Sequence, residues 1–124
     1  MAEQNNHGLT EAFDPIDIQQ NKTMAGLAYI LFFLPLITDK DSKFGRFHAN
    51  QGLLLLITSI AGHITISVVS GILTAITWRF YWLTTLLYGA FSLAVIALFI
   101  MGLMNGLNGK AKELPIIGGI RIIN

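Results

Sequence analysis

The chain has 124 residues, of which 53% are hydrophobic and only 12% are charged, with a formal net charge of +1. A soluble domain carries roughly 25% charged residues, so this chain has about half the charged side chains that a water-soluble fold of its size uses. The small net charge provides no basic patch for a run of phosphates, which excludes nucleic acid as a partner. The absence of cysteine excludes disulfides, thiolate catalysis and cysteine-ligated metals.

The N-terminal segment is polar, and its four acidic residues are Glu3, Glu11, Asp14 and Asp17. A secretory signal begins with positive charge and runs directly into an apolar stretch, whereas this segment does neither. We therefore predict an uncleaved, disordered polar tail over residues 1–21. A membrane helical domain is predicted over residues 22–124.

The first apolar run covers residues 22–38 and contains Pro35 near its end. As one helix it would reach about 25 Å, slightly less than the ~30 Å hydrocarbon core of a bilayer. Two interpretations follow. Either the run crosses the membrane, with Lys22 extending to the headgroups and the bilayer thinning locally, or it is a re-entrant or buried segment. The first interpretation makes it the first of three predicted spans.

Two longer apolar runs cover residues 52–77 and 80–106, and neither contains a formally charged side chain. Uncharged runs of about 18 or more apolar residues are typical of transmembrane helices, whereas helices of soluble cores show a polar face. Between the runs, Trp78, Arg79 and Trp82 form an aromatic and cationic cluster typical of the headgroup level. The sequence thus predicts an all-α integral membrane bundle with about three transmembrane helices and a tight interfacial turn anchored by this cluster.

Lysine and arginine positions predict the orientation of the spans, because these residues concentrate on the cytoplasmic side. With three spans, the loop over 39–51 and the C-terminal tail share one side. That side holds six such residues, and the N-terminal tail and the tight turn together hold only Lys22 and Arg79. The 39–51 loop and the C-terminus are therefore predicted to be cytoplasmic. If the first run is re-entrant, the N-terminal tail is cytoplasmic as well.

The loop DKDSKFGRFHANQ is predicted to form a short amphipathic helix at the membrane interface before the second span. In one interpretation, Lys43 and Arg46 make it a basic anchor that sets the orientation. In the other, His48 and Gln51 form a polar pair, one helical turn apart, that contacts a partner or a lipid headgroup.

A stripe of small and polar side chains runs along one face of the second span, comprising Ser59, His63, Ser67, Ser70, Thr74 and Thr77. Small residues let helices approach closely, and their hydroxyls bond across the contact, so helix packing explains the stripe. A water-lined path through an oligomer is the alternative. An ionisable group near mid-membrane is costly and is a functional candidate, although a neutral imidazole bonded to a neighbouring helix also explains His63.

The third span ends in a G-x-x-x-G formed by Gly102 and Gly106, a spacing that can bring two helices into close contact. No Ser-His-Asp, paired-carboxylate or phosphate-cradling pattern is present in the sequence, so general acid–base chemistry has no apparatus. His48 and His63 would lie about 22 Å apart along a helix and could not share an ion. We therefore predict no catalytic residue, no cofactor and no metal site.

Three segments carry a family resemblance, namely AYILFFLPLI, SKFGRFHANQGLLL and the closing G-K-x-x-x-L-P-I-I-G. They resemble a widespread group of small bacterial membrane proteins similar to the twenty-kilodalton inner-envelope component of the chloroplast protein-import translocon. The resemblance covers residues 22–123, and its most specific part is Phe47-His48-Ala49-x-Gln51. It implies a helical bundle in the bacterial plasma membrane, in a family whose plastid relative contributes to protein import.

The expected function is that of a non-enzymatic accessory subunit of a membrane assembly, related to protein import or insertion. Its expected partners are the lipid bilayer and either further copies of the chain or other membrane subunits. Two alternatives stay open. One is an oligomeric channel or small-solute transporter, and the other is an immunity or envelope-stress protein that acts against membrane-active peptides.

Overall fold

A computed structural model describes residues 9–123 of the chain. After a helical turn at residues 9–11, the helices are α1 (Pro15–Leu27), α2 (Leu34–Thr38), α3 (Lys43–Ile76) and α4 (Tyr81–Leu107), with the 3₁₀ turn Trp78–Phe80 between the last two. No strand occurs in this part of the chain. The prediction of an all-α fold is confirmed.

The long helices α3 and α4 form an antiparallel hairpin, and both are long and apolar enough to cross a membrane. With 34 residues, α3 reaches about 51 Å, well beyond the ~30 Å hydrocarbon core. Its large exposed hydrophobic side chains begin at Leu56 and continue to Ile76, a rise of about 30 Å. The hairpin therefore has an apolar outer part of bilayer thickness and an inner end that the rest of the chain covers. We call this covered end, with the segments packed on it, the base.

The predicted first span, residues 22–38, is not one helix. Helix α1 ends at Leu27, the chain turns through residues 28–33, and α2 begins at Leu34. A continuous helix would drive the ring of Pro35 into the preceding turn and lose a backbone hydrogen bond. The described residues thus contain two candidate membrane-spanning helices rather than three.

Both ends of the divided segment lie at the base. The amide of Asn21 in α1 donates to the Asp39 carboxylate at 3.1 Å, and Pro35 in α2 packs against Gly45 near the start of α3. The chain therefore rises along the hairpin and returns to the same end. This path matches the re-entrant or buried interpretation of the first apolar run.

The predicted boundary between a disordered tail and the membrane domain, at residue 21, falls inside α1. The carboxylate of Asp14 accepts a hydrogen bond from Ile16 N at 2.9 Å, and Pro15 occupies the first helical position, where its fixed φ suits a helix. Asn21 is buried. Residues 9–21 therefore belong to the folded base, and the predicted disorder of residues 1–8 lies outside the described residues.

The predicted interfacial helix over residues 39–51 is not a separate element, because α3 begins at Lys43 and continues unbroken into the apolar outer part. The aromatic face of this stretch is buried against protein. Phe44 and Phe47 pack with Ala25 and Ala111 and against the ring of Phe13. The sequence pattern predicted that this stretch lies at the membrane interface. Instead, residues distant in sequence bury its aromatic face.

Glycine lets α1 and α4 touch at backbone distance. A Cβ placed on Gly106 would lie 2.5 Å from the Cα of Gly26, and one on Gly102 would lie 2.1 Å from the ring of Tyr29. The close helix contact that the G-x-x-x-G spacing allows is present in the structure. Both helices belong to the same chain.

Replacing Gly106 by alanine should destabilise the fold, because the new methyl group overlaps the backbone of Gly26. Overpacking of this kind costs about 1–3 kcal/mol, so the thermal unfolding midpoint in detergent should fall. Gly89→Ala is the matched control, since nothing lies within 4 Å of its added Cβ, and alanine favours a helix over glycine by roughly 0.5–1 kcal/mol. Equal midpoints for Gly106→Ala and the wild type would contradict the close contact.

Candidate functional site

Three polar side chains on the first turns of α3 are completely buried. His48, Asn50 and Gln51 are each 0% exposed. A buried polar group without a hydrogen-bond partner costs several kcal/mol by transfer measurements, so each of these side chains needs partners within the chain. They find them mainly in the C-terminal segment, residues 108–123, which contains no helix or strand. We call the three residues the polar clamp.

Gln51 uses both ends of its amide. Its Nε2 donates to Gly118 O at 2.9 Å, and its Oε1 accepts from Leu114 N at 2.9 Å. The backbone turn between these two residues is closed by Gly118 N, which donates to Leu114 O at 3.0 Å. One side chain therefore fixes both ends of a turn that lies 63 to 67 residues further along the chain.

Asn50 holds the end of the same segment. Its Nδ2 donates to Ile120 O at 2.7 Å, while its Oδ1 accepts from Ile122 N at 2.7 Å and from Ile123 N at 3.0 Å. These bonds satisfy backbone groups that have no helix or sheet partner. The Asn50 side chain thus supplies hydrogen bonds of the kind that a neighbouring strand would provide.

His48 joins the C-terminal segment to α1. Its Nε2 lies 2.9 Å from Lys110 O, and its Nδ1 lies 2.7 Å from the hydroxyl of Tyr29. A carbonyl can only accept, so Nε2 carries the hydrogen and Nδ1 accepts from the tyrosine hydroxyl. The neutral imidazole satisfies both contacts, and the rings of Phe44 and Phe47 pack edge-on against it. This histidine is a structural bridge with no free nitrogen.

A second polar contact ties α1 to the first turn of α3. The carboxylate of Asp17 accepts from the Ser42 hydroxyl and, at 3.0 Å, from Phe44 N. The Ser42 oxygen in turn accepts from Gly45 N at 2.9 Å. An acceptor and a negative charge at a helix N-terminus satisfy its free N–H groups and its dipole. The start of α3 is thus fixed by a residue of α1.

Two members of the second-span stripe, His63 and Ser67, contact α4, while Ser67 and Thr74 are also exposed. The Nδ1 of His63 lies 2.7 Å from Ser59 O and its Nε2 lies 3.4 Å from the Ser92 hydroxyl, while its ring packs edge-on to Phe91 with centroids 4.9 Å apart. The hydroxyl of Ser67 contacts that of Tyr88. These contacts agree with the packing interpretation of the stripe.

Ser70 is also buried, and its hydroxyl has no hydrogen-bond partner in the described part of the chain. A water-lined path along the stripe would require further copies of the chain, and that alternative stays a prediction.

The remaining predicted site residues lie on the surface at opposite ends of the hairpin. At the tip, Trp78 and Trp82 are 77% and 63% exposed, and Arg79 is exposed beside them, as an anchor at the headgroups requires. At the base, Lys43 is exposed and Arg46 is half-buried, with its Nη1 donating to a backbone carbonyl at 2.8 Å. Their role as anchors stays a prediction.

A groove on the base surface gathers positive charge that is spread along the sequence. Its volume is about 520 Å³, and its lining includes the rings of Phe13 and Phe47 together with four basic residues and one acidic residue, namely Lys40, Lys43, Arg46, Arg121 and Asp41. The guanidinium of Arg121 lies 5.4 Å from the ring centroid of Phe47 and 3.3 Å from the Glu113 carboxylate. Within residues 9–123, no three histidine or acidic side chains gather closely enough to hold a metal ion.

Residues 20–123, which include α3, α4 and the polar clamp, match the family model of the magnetosome magnetite crystal formation proteins. The chain belongs to this family. It is 29% identical to the magnetosome protein MmsF of Paramagnetospirillum magneticum over 99 residues, which cover 78% of this chain and 81% of that protein. It is also 31% identical to MamF of the same organism over 97 residues, which cover 77% of each chain.

A third magnetosome relative, MamF of Magnetospirillum gryphiswaldense, is 29% identical to this chain over 99 residues, which cover 78% of each protein. No solved structure matches the chain.

Membership of the magnetosome family overturns the expected resemblance to the chloroplast import component. The family match extends over the same residues that carried that resemblance, and the matched proteins are magnetosome proteins. Most of the resemblance rested on apolar runs, which any small membrane bundle shares. The proteins of this family are non-enzymatic membrane accessory proteins, which confirms the predictions of a membrane protein and of no enzyme activity.

Replacing Gln51 by leucine should release the C-terminal segment, because Leu114 N and Gly118 O would both lose their buried partner. Each unpaired group costs about 1–3 kcal/mol. Hydrogen exchange at residues 110–123 should therefore accelerate while exchange in the outer part of α3 stays slow. Gln20→Leu, the same change at an exposed position of α1, should leave this exchange as in the wild type. Unchanged protection in Gln51→Leu would mean that the clamp does not hold the segment.

Proposed function

We propose that this chain is an accessory protein of a magnetosome-type membrane and that it acts there in magnetite crystal formation. The observation that carries the proposal is the family match over residues 20–123, because it includes the outer hairpin, the polar clamp and the C-terminal segment together. The relatives that match this chain from two organisms are magnetosome proteins. The proposed location is thus a magnetosome membrane in place of the plasma membrane expected from the earlier resemblance.

The proposed mode of action is positional. The outer part of the hairpin would hold the protein in the bilayer, while the clamp and the Asp17–Ser42 contact make the base a single unit. The base would then present its positively charged groove at a fixed height above the membrane. Its proposed partners are the lipid bilayer and either further copies of the chain or other membrane subunits that reach this surface.

The proposed orientation follows from two crossings instead of three. With α3 and α4 as the crossing helices, the N-terminal region, the loop before α3 and the C-terminal segment share one side. Seven of the eight lysine and arginine residues then lie with the base, and only Arg79 lies at the tip. The strong bias favours a cytoplasmic base.

Single-cysteine labelling should reveal this orientation, since the chain has no cysteine of its own. A membrane-impermeant maleimide applied to spheroplasts of a bacterial expression host should label Arg79→Cys at the tip. It should label Lys40→Cys, Lys112→Cys and Gln20→Cys only after the cells are lysed. Labelling of position 20 from outside, with positions 40 and 112 protected, would restore the three-span arrangement. Labelling of positions 40 and 112 from outside, with position 79 protected, would invert the orientation.

The function itself is tested in a strain of Paramagnetospirillum magneticum that lacks its own MmsF. Expression of this chain should shift the number or dimensions of the magnetite crystals, measured by electron microscopy, towards those of the parent strain. Gln51→Leu should shift them less, whereas Gln20→Leu should act like the wild type.

The amount of each variant in the membrane fraction is measured in parallel by immunoblot. Wild-type protein that is abundant in that fraction and leaves the crystals as in the deletion strain would overturn the proposed function.

A further inference from the structure

The turn between α1 and α2 leaves large apolar side chains uncovered. Ile30, Leu31 and Phe33 in the turn are 59%, 45% and 39% exposed, and Ile37 in α2 is 71% exposed. We call these four residues the apolar shelf. Large apolar side chains that project together from a protein surface need a cover other than water.

The shelf lies at the height where the lipid-facing surface of the hairpin begins. The carbonyl oxygen of Ala28 would lie 2.2 Å from a Cβ on Gly52 of α3. Just beyond this contact, the turn lines a groove of about 490 Å³ with Leu55, Leu56 and Ser59 of α3 and with residues 95, 96 and 99 of α4. Because the exposed apolar part of α3 starts at Leu56, the shelf continues the same surface.

Several backbone N–H groups of the turn and of α2 are paired within the chain. The N–H groups of Ile30 and Leu31 donate to Leu27 O, and those of Leu36 and Ile37 donate to Phe33 O. No charged side chain occurs between residues 24 and 38. Internal pairing of backbone groups is what irregular backbone requires at membrane depth.

We propose that the apolar shelf inserts into the acyl chains of the leaflet on the base side, with an acyl chain in the groove beneath it. The groove reaches Ser59, about 5 Å along α3 beyond Leu56, so the insertion is shallow and stays within one leaflet. The protein then displaces more lipid from the base-side leaflet, where three segments lie, than from the other leaflet, where only α3 and α4 cross. This inference requires the hairpin to be in a bilayer and is independent of magnetite.

The depth of the shelf can be measured with a nitroxide spin label on Leu31→Cys in vesicles of phosphatidylcholine and phosphatidylglycerol. The label should collide with oxygen and be protected from a water-soluble nickel chelate. Ile64→Cys in the outer part of α3 is the lipid control, and Ile16→Cys at the start of α1 is the water control, and both positions are well exposed. The ratio of oxygen to nickel collisions at position 31 should approach that at position 64.

Two results would overturn the insertion. If position 31 meets the nickel chelate as readily as position 16 does, the shelf lies in water. If position 31 is protected from both reagents and its spectrum broadens through contact between labels, a second copy covers the shelf instead of lipid. Position 64 reports separately whether the hairpin is in the bilayer. A failure of the shelf is thus distinguishable from a failure of membrane insertion or of the proposed function.

Unequal displacement of the two leaflets also predicts a preference for curved membranes, because shallow apolar insertion is sensitive to curvature. In a mixed population of vesicles separated by size, the protein-to-lipid ratio should be higher in the small vesicles. The double variant Ile30→Asn/Leu31→Asn, with unchanged helix content by circular dichroism, should lose this enrichment. Equal ratios for the wild type in small and large vesicles would overturn the curvature preference.

Discussion

The fold depends on a mismatch between the length of α3 and the thickness of a bilayer. The helix has 34 residues and reaches about 51 Å, whereas the hydrocarbon core measures ~30 Å. The part before Leu56 therefore needs a cover of protein, and α1 together with the C-terminal segment supplies it. The abrupt change on α3, from buried side chains up to Leu55 to exposed apolar side chains from Leu56 onwards, marks the border between these two environments.

The polar clamp explains how an irregular segment can provide that cover. Residues 108–123 have no helix or strand of their own, so their buried backbone groups need partners elsewhere. His48, Asn50 and Gln51 bond to six of these groups. The same three side chains would be costly on a lipid-facing helix. The three side chains can therefore be buried before Leu56 because the C-terminal segment bonds to them, and the same bonds hold that segment in place.

Features that depend on a local sequence pattern were predicted correctly. Features that depend on contacts between residues distant in the chain were not. Residues 52–77 and 80–106 were predicted as long apolar helices. The C-terminal ends of α3 and α4 lie within one residue of those limits, whereas α3 begins at Lys43, well before residue 52. His48 and Gln51 were predicted to contact a partner or a lipid headgroup, but they are buried, and their backbone partners in the C-terminal segment lie more than 60 residues away in the chain. Spacing along one helix cannot reveal such partners.

Two other sequence predictions failed for related reasons. The stretch over 39–51 was predicted to lie at the membrane interface, although its Phe44 and Phe47 are buried against Phe13 and Ala111. The run over 22–38 has the hydropathy of a span, yet Pro35 and the contact of Ala28 with Gly52 divide it. Average hydropathy does not report the backbone break. In the outer hairpin, His63 and Ser67 bond to groups of the hairpin itself, and the exposed Thr65 and Thr85 bond back to their own helices. Because these polar groups are already paired within the hairpin, the base and the tip are better placed for recognition by polar contact.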